Sequence, residues 1–261
     1  DFCLSRGLGD VYKRQEQSLS YAAASAAEHA QDDREGSNGQ AVERHIATVA
    51  VVSGAGFVKV YEGLGVSSIV PGGQTMNPST EELLAAVDAC SSERVILLPN
   101  NSNVILSARQ VIGLTNKQVY IVPTDTMPQG IAALLRFNFE ADFEANCAAM
   151  SEAARSIHTA EITTAVRSAQ IGGVRVREGD FIGLIDGNLA IAGKDMQRVI
   201  RDTLEHMDIQ RFEIITLYFG EDVREAEAET TARRIKEQYS QLEIEVVNGG
   251  QPHYAYIISA E

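Results

Sequence analysis

From Ile46 onward, short β-branched apolar runs alternate with longer amphipathic ones. Ile46–Val52, Ser67–Val70, Val95–Leu98 and Val119–Val122 are almost continuously apolar, which predicts strands buried on both faces. Amphipathic stretches at Phe57–Gly63, Glu81–Ala89, Asn103–Gly113 and Gln129–Arg136 predict helices between and after them. This alternation predicts a parallel sheet covered by helices on both sides. The carboxyl ends of its strands then share one edge, which is where open α/β sheets bind ligands.

The pattern changes after a helix predicted at Phe143–Ile157. Glu161–Ser168, Val174–Arg177, Phe181–Ile185 and Leu189–Ile191 are short alternating runs, broken by Gly172-Gly173, Glu178-Gly179-Asp180 and Asp186-Gly187-Asn188. Such breaks between alternating runs signal hairpins. A helix at Asp195–His206, a strand at Glu213–Tyr218, an acidic helix at Asp222–Tyr239 and strands at Glu243–Asn248 and Tyr254–Ser259 complete the reading. The fold class is α/β: a parallel βα domain over 46–140, then an α+β domain on an antiparallel or mixed sheet over 141–261, with the boundary inside Arg136–Ala160.

The first 45 residues read differently. Asp10–Gln15 resembles the translation of a sequencing-library adaptor, so residues 1–15 are set aside, and the natural protein is expected to extend upstream. Residues 16–45, rich in Ala, Ser, Gln and acidic groups, read as a helical remnant at Leu19–Ala30 and a linker.

Charge narrows the partners. Lys and Arg number 22 against 36 Asp and Glu, a net charge of −14 with no basic cluster, which disfavours nucleic acid. The three cysteines are widely spaced with no CxxC pair, which fits a reducing cytoplasm rather than a disulfide or zinc framework. No apolar run approaches the roughly 18 residues of a membrane span, and no signal-peptide core is present.

Candidate chemistry gathers at the shared strand edge. Ser53-Gly54-Ala55-Gly56, Gly72–Thr80, Pro99–Asn103 and Pro123–Gln129 are polar, punctuated by Gly or Pro, and each leads into a helix. Several helix amino ends are therefore expected to converge on one spot. The most elaborate of these loops, Gly72-Gly73-Gln74-Thr75-Met76-Asn77-Pro78-Ser79-Thr80, offers backbone amides, hydroxyls and a helix cap. The candidate ligand-binding residues are Gly73, Gln74, Thr75, Asn77, Ser79, Asn100, Asn101, Thr124, Thr126 and Gln129. No catalytic or metal-ligating set stands out. Gly54-Ala55-Gly56 lacks the third glycine and the acidic residue of a dinucleotide fingerprint. Histidines 158, 206 and 253 are scattered, and no GxSxG elbow or Walker lysine exists. Asp125 and Asp186 are candidates for a carboxylate pair across an interdomain cleft, although Asp186-Gly187 also reads as an ordinary turn. Gly72-Gly73-Gln74 recurs as Gly249-Gly250-Gln251, and the two loops are expected on separate domains.

Taken together, GGQTMNPST at 72–80, Pro99-Asn100-Asn101, Pro123-Thr124, PQGIAALL at 128–135, Tyr218–Asp222 and Gly249–Pro252 resemble the carboxyl-terminal region of the bacterial fatty acid kinase A subunit. That family has been grouped with dihydroxyacetone kinase-like proteins. The resemblance spans Ile46 to Glu261 and implies a fold similar to the fatty-acid-binding, EDD/DegV-like B subunit. It implies that ATP and magnesium belong to an amino-terminal kinase domain absent from this chain, so the fragment itself needs no cofactor and is inactive alone. It implies a docking role toward the lipid-loaded B subunit, self-association through the full-length protein, or binding of a fatty acid or phosphate. By order along the chain, Thr75 and Ser79 take the place of the binder's carboxylate-holding loop, and Asn100-Asn101-Ser102 takes the place of its Gly-rich second loop.

Overall fold

The computed structural model describes residues 46–73 and 77–261. The expectations for residues 1–45, and those for Gln74 and Thr75, fall outside the described residues.

Four parallel strands form the first sheet: β1 (Ile46–Val52), β2 (Ser68–Pro71), β3 (Arg94–Leu98) and β4 (Gln118–Ile121), in the order β2-β1-β3-β4. Helices α1 (Ala55–Gly63), α2 (Thr80–Ala89) and α3 (Ser102–Val111) connect them, and α4 (Met127–Leu135) and α5 (Phe143–Ser156) follow. Pleating separates the side chains cleanly. Ala47, Val49, Val51, Val95 and Leu97 pack against Leu83 and Val87 of α2 and Val104, Ala108 and Val111 of α3. Ala50, Val52, Ile96 and Leu98 face the other way, onto Phe57 and Tyr61 of α1 and Ile131, Ala133 and Leu134 of α4. Both faces are covered, which explains the lack of alternation in these strands.

The second sheet is mixed, with six strands in the order β11-β10-β12-β5-β8-β9. They are β5 (His158–Thr164), β8 (Phe181–Ile185), β9 (Asn188–Gly193), β10 (Ile214–Phe219), β11 (Glu243–Asn248) and β12 (Tyr254–Ala260). Only β10 and β11 pair in parallel. Helices α6 (Met196–His206) and α7 (Glu225–Gln238) cover one face through Ala160, Ile162, Leu217, Tyr256 and Ile258. Tyr218 and Ile257 point the opposite way and join the cluster that holds α1, α4 and α5. One helical layer is thus shared by the two sheets, and α5 lies inside the segment where the sequence places the boundary.

Several boundaries differ from the sequence expectation for identifiable reasons. The run Glu161–Ser168 is not one strand: β5 ends at Thr164, and β6 (Ala169–Ile171) pairs with β7 (Val174–Val176) as a separate hairpin. Ala165 leaves the ladder because it exchanges backbone bonds with Asp180 and Gly179, at 2.8 and 2.9 Å. Helix α4 starts at Met127 rather than Gln129, since Pro128 is well suited to the first turn, where a missing N–H costs nothing. Helix α7 starts at Glu225 rather than Asp222, because the Glu221 N–H bonds the Gln251 carbonyl at 3.1 Å and Val223 closes a turn on Gly220.

The two halves meet at a backbone contact. The Phe57 N–H, in the first turn of α1, donates to the Gly249 carbonyl at 2.9 Å. A Cβ at Gly56 would stand 1.8 Å from the Asn248 carbonyl oxygen, and one at Gly54, where φ is +100°, would stand 2.6 Å from the Gln251 nitrogen. These glycines are therefore packing residues. Gly56→Ala is expected to lower the unfolding free energy by about 3 kcal/mol, as overpacking against rigid backbone does. Gly113→Ala, whose nearest neighbour would be 3.9 Å away, is expected to stay within about 0.5 kcal/mol. Urea unfolding of the two variants makes the comparison.

Candidate functional site

The four loops at the carboxyl edge of the first sheet do converge. Ser53, Gly54, Gly72, Gly73, Asn100, Asn101, Thr126 and Met127 line one cavity of about 390 Å³. Its far wall comes from the second half: Glu161 on β5, Gln251, Pro252 and His253 before β12, and Tyr254 and Ile257 on it. The two Gly-Gly-Gln loops sit on separate halves, yet both reach this cavity.

Of the residues singled out by sequence, Gly73, Asn100, Asn101 and Thr126 line the cavity. Asn77, Ser79, Thr124 and Gln129 do not. Ser79 is exposed and caps α2: its Oγ accepts from the Glu82 N–H at 3.2 Å, while Glu82 Oε2 accepts from the Ser79 N–H at 2.7 Å. Such a reciprocal capping box occupies the hydroxyl in holding the helix end. The Thr124 hydroxyl is buried and accepts from the Asn100 N–H at 3.0 Å. Gln129 accepts from the Asp125 N–H at 2.7 Å and donates to the Ile157 carbonyl at 3.3 Å.

Asn100 is a clip as much as a lining residue. Its φ of 53° places it in the left-handed region, which Asn tolerates better than other side chains. From there Nδ2 donates to the Val51 carbonyl and to the Tyr61 hydroxyl, each at 2.9 Å, and Tyr61 donates onward to the Met127 carbonyl at 2.7 Å. One side chain thereby ties β1, α1 and the start of α4. Its Oδ1 leaves no room for a side chain at position 130, where an added Cβ would lie 2.2 Å away. Asn101 is similarly engaged, its Oδ1 accepting from the Asn103 N–H at 2.8 Å to cap α3.

The electrostatic character of the cavity comes from a residue the sequence reading did not select. Glu161 lies on the sheet face that carries Tyr218 and Ile257, and only 6% of its surface is exposed. Burial, reinforced by the charge of Asp186, pushes its carboxyl up to about 7. Asp125 is raised for the same two reasons, burial first. Asp186 fills the expected turn, with φ 46° followed by Gly187 at 77°. Its carboxylate holds His158 Nδ1 at 2.8 Å and the Thr159 N–H at 2.9 Å. No Lys or Arg is among the cavity-lining residues. A carboxyl group in an alternating strand carries no motif, so Glu161 could be found only once strand register was known; Gln251 had a signal in the repeated tripeptide.

At the helix amino ends of this edge, part of the donor set is engaged from within. Phe57 of α1 bonds Gly249, Asn103 of α3 bonds Asn101, and Pro128 of α4 has no N–H to offer. The cavity thus combines apolar walls with an acidic group, and a bound carboxylate would meet like charge at Glu161.

Comparison with known proteins matches residues 47–261 to the FakA-like C-terminal family model, the carboxyl-terminal region of A-like subunits of fatty acid kinase. Protein YloV of Bacillus subtilis is 38% identical over 213 residues, which is 82% of this chain but 38% of the relative. The chain therefore spans about two fifths of the length of the curated relatives it matches. A fatty-acid-binding DegV family protein from Thermus thermophilus superposes with a TM-score of 0.56 at 14% identity, covering 83% of this chain and 99% of that one. The dihydroxyacetone kinase of C. freundii gives 0.54 at 13% identity, over 84% of this chain and 48% of the kinase. At such identities these two likenesses show the fold, which is DegV-like.

Two outcomes test this description. Asn100→Ala is expected to cost about 2–4 kcal/mol in urea unfolding, since it removes buried hydrogen bonds and leaves the Val51 carbonyl without its side-chain donor. The folded pKa of Glu161 lies above the ordinary value of 4.5, so its protonated form favours the fold below pH 4.5 and that advantage is lost as pH rises through 7. Glu161→Gln should leave stability unchanged near pH 4 and raise it by about 2–3 kcal/mol at pH 8.5, read from unfolding curves at both values.

Proposed function

This chain belongs to the FakA-like C-terminal family of fatty acid kinase, and we propose that it serves as a non-catalytic docking module. On this reading it brings a lipid-loaded, fatty-acid-binding B subunit to a kinase domain carried elsewhere in the full-length protein. Phosphorylation of the acyl carboxylate, with its ATP and magnesium, then belongs to that kinase domain, and the assembly works in the cytoplasm.

The observation that carries the reading is the placement of Glu161. The chain has the fold of a fatty-acid-binding DegV family protein, yet its own interior cavity presents a buried carboxyl and no Lys or Arg. An acyl carboxylate is poorly served there, which favours a role at the surface. The surface offers one: Leu135, the last residue of α4, and Phe139, in the connection to α5, are 64% and 75% exposed. Leu135 borders a groove floored by small residues of α5, Ala145, Ala149 and Ala153. Exposed apolar side chains grouped in this way mark protein contacts. No helix among the described residues is long and apolar enough to cross a membrane.

Capture of the B subunit by the intact A subunit, compared with a form of it lacking residues 46–261, tests the proposal. Loss of capture on deletion is expected, as is at least a tenfold weakening by the double variant Leu135→Glu, Phe139→Glu. Equal capture by the truncated form would remove the docking role.

A further inference from the structure

The cavity beneath the converging loops remains to be accounted for, since a docking surface on α4 and α5 does not use it. Its volume, about 390 Å³, lies within the roughly 300–1,000 Å³ range of small-molecule clefts. Its walls include Val51, Val58, Met127 and Ile257. Into this apolar space the protein brings one carboxyl group, that of Glu161, on a side chain more than nine-tenths buried. A buried acid among apolar walls is costly, and proteins retain such groups chiefly at functional sites. On the same lining Thr126 Oγ1, Asn100 Oδ1 and Gln251 Oε1 are buried and meet no hydrogen-bond partner among the described residues.

The sign of the missing partner follows from the neighbours. Asp186, from the turn between β8 and β9, lies near enough to act on Glu161, and Asp125, ahead of α4, lies near enough to feel Asp186. His158 is drawn to Asp186 rather than to Glu161, and Tyr254 on β12 feels Glu161 as a nearby negative charge. His253 is the basic residue on the lining. At two of the helix ends that would welcome an anion, an amide is already bonded, to Gly249 and to Asn101. A donor that is itself positive satisfies all of these groups together, and an apolar tail satisfies the walls.

We propose that this cavity is a binding site for a small amphipathic organic cation, a protonated primary amine with a short apolar chain, whose ammonium group pairs with the Glu161 carboxylate and hydrogen-bonds the Thr126 hydroxyl. The site is independent of the docking role and stands or falls separately from it.

The test uses the whole chain with two probes matched in shape and opposite in charge, n-hexylammonium and hexanoate, at pH 8. Calorimetric titration is expected to show binding of hexylammonium at least tenfold tighter than hexanoate, and Glu161→Gln is expected to weaken the amine at least tenfold. With methyl-labelled methionine, the Met127 resonance should shift on adding hexylammonium to the unmodified protein, which locates the site without any substitution. Equal or tighter binding of hexanoate, an unmoved Met127 resonance, or unchanged amine affinity in Glu161→Gln would each overturn the proposal.

Discussion

The contact between the Gly54–Phe57 turn and the Asn248–Gln251 loop is the constraint on which the remaining geometry depends. Backbone meets backbone there, with the Phe57 N–H on the Gly249 carbonyl and with no space for a Cβ at Gly54 or Gly56. Side chains cannot adjust such a contact, so it fixes the second sheet relative to the first. Gln251 sets the loop's own shape from behind, donating from Nε2 to the Tyr218 carbonyl at 3.1 Å and the Tyr254 carbonyl at 3.4 Å. Stacking of Phe57 on Tyr218, with centroids 4.8 Å apart, then continues the contact into the shared core. Without it the loops of the first sheet would end at open solvent, and the cavity would have no far wall.

That far wall decides the chemistry. A parallel sheet brings polar loops and helix amino ends to one edge, an arrangement that ordinarily welcomes anions. Here the second half answers with Glu161, and the same close contact that builds the cavity uses up a donor of α1. The result is a site with the architecture of an anion pocket and the opposite charge. Neither half determines this alone: the first supplies the position, the second supplies the sign.

This division also explains what could be read from the chain beforehand. Strands β1 and β3 were legible because burial on both faces leaves a continuous apolar run, and the shared edge of the four strands follows from parallel topology. The convergence of the four loops followed in turn. Individual site residues were less legible, because capping, clipping and ligand binding call on the same residue types. Ser79 reads equally well as a ligand contact or as the first half of a capping box, and only Glu82 three residues on, bonded back to its N–H, distinguishes them. Glu161 depends on pairing across Ile257 and Leu184, residues 96 and 23 positions away, and no local pattern reports that. Gly54-Ala55-Gly56, suggestive of a phosphate turn, owes its glycines to Asn248 and Gln251 at the other end of the chain.

Asn100 shows how one residue in the left-handed region can tie three elements together. Glycine would reach that conformation at no steric cost. Asn reaches the same φ and adds an amide, which this chain directs inward to the Val51 carbonyl and the Tyr61 hydroxyl. Those bonds draw α1 and α4 onto the sheet, and Gly130 is required beneath the amide for the helix to come so close. The amide faces the protein, so one side chain holds the loop and both helices together.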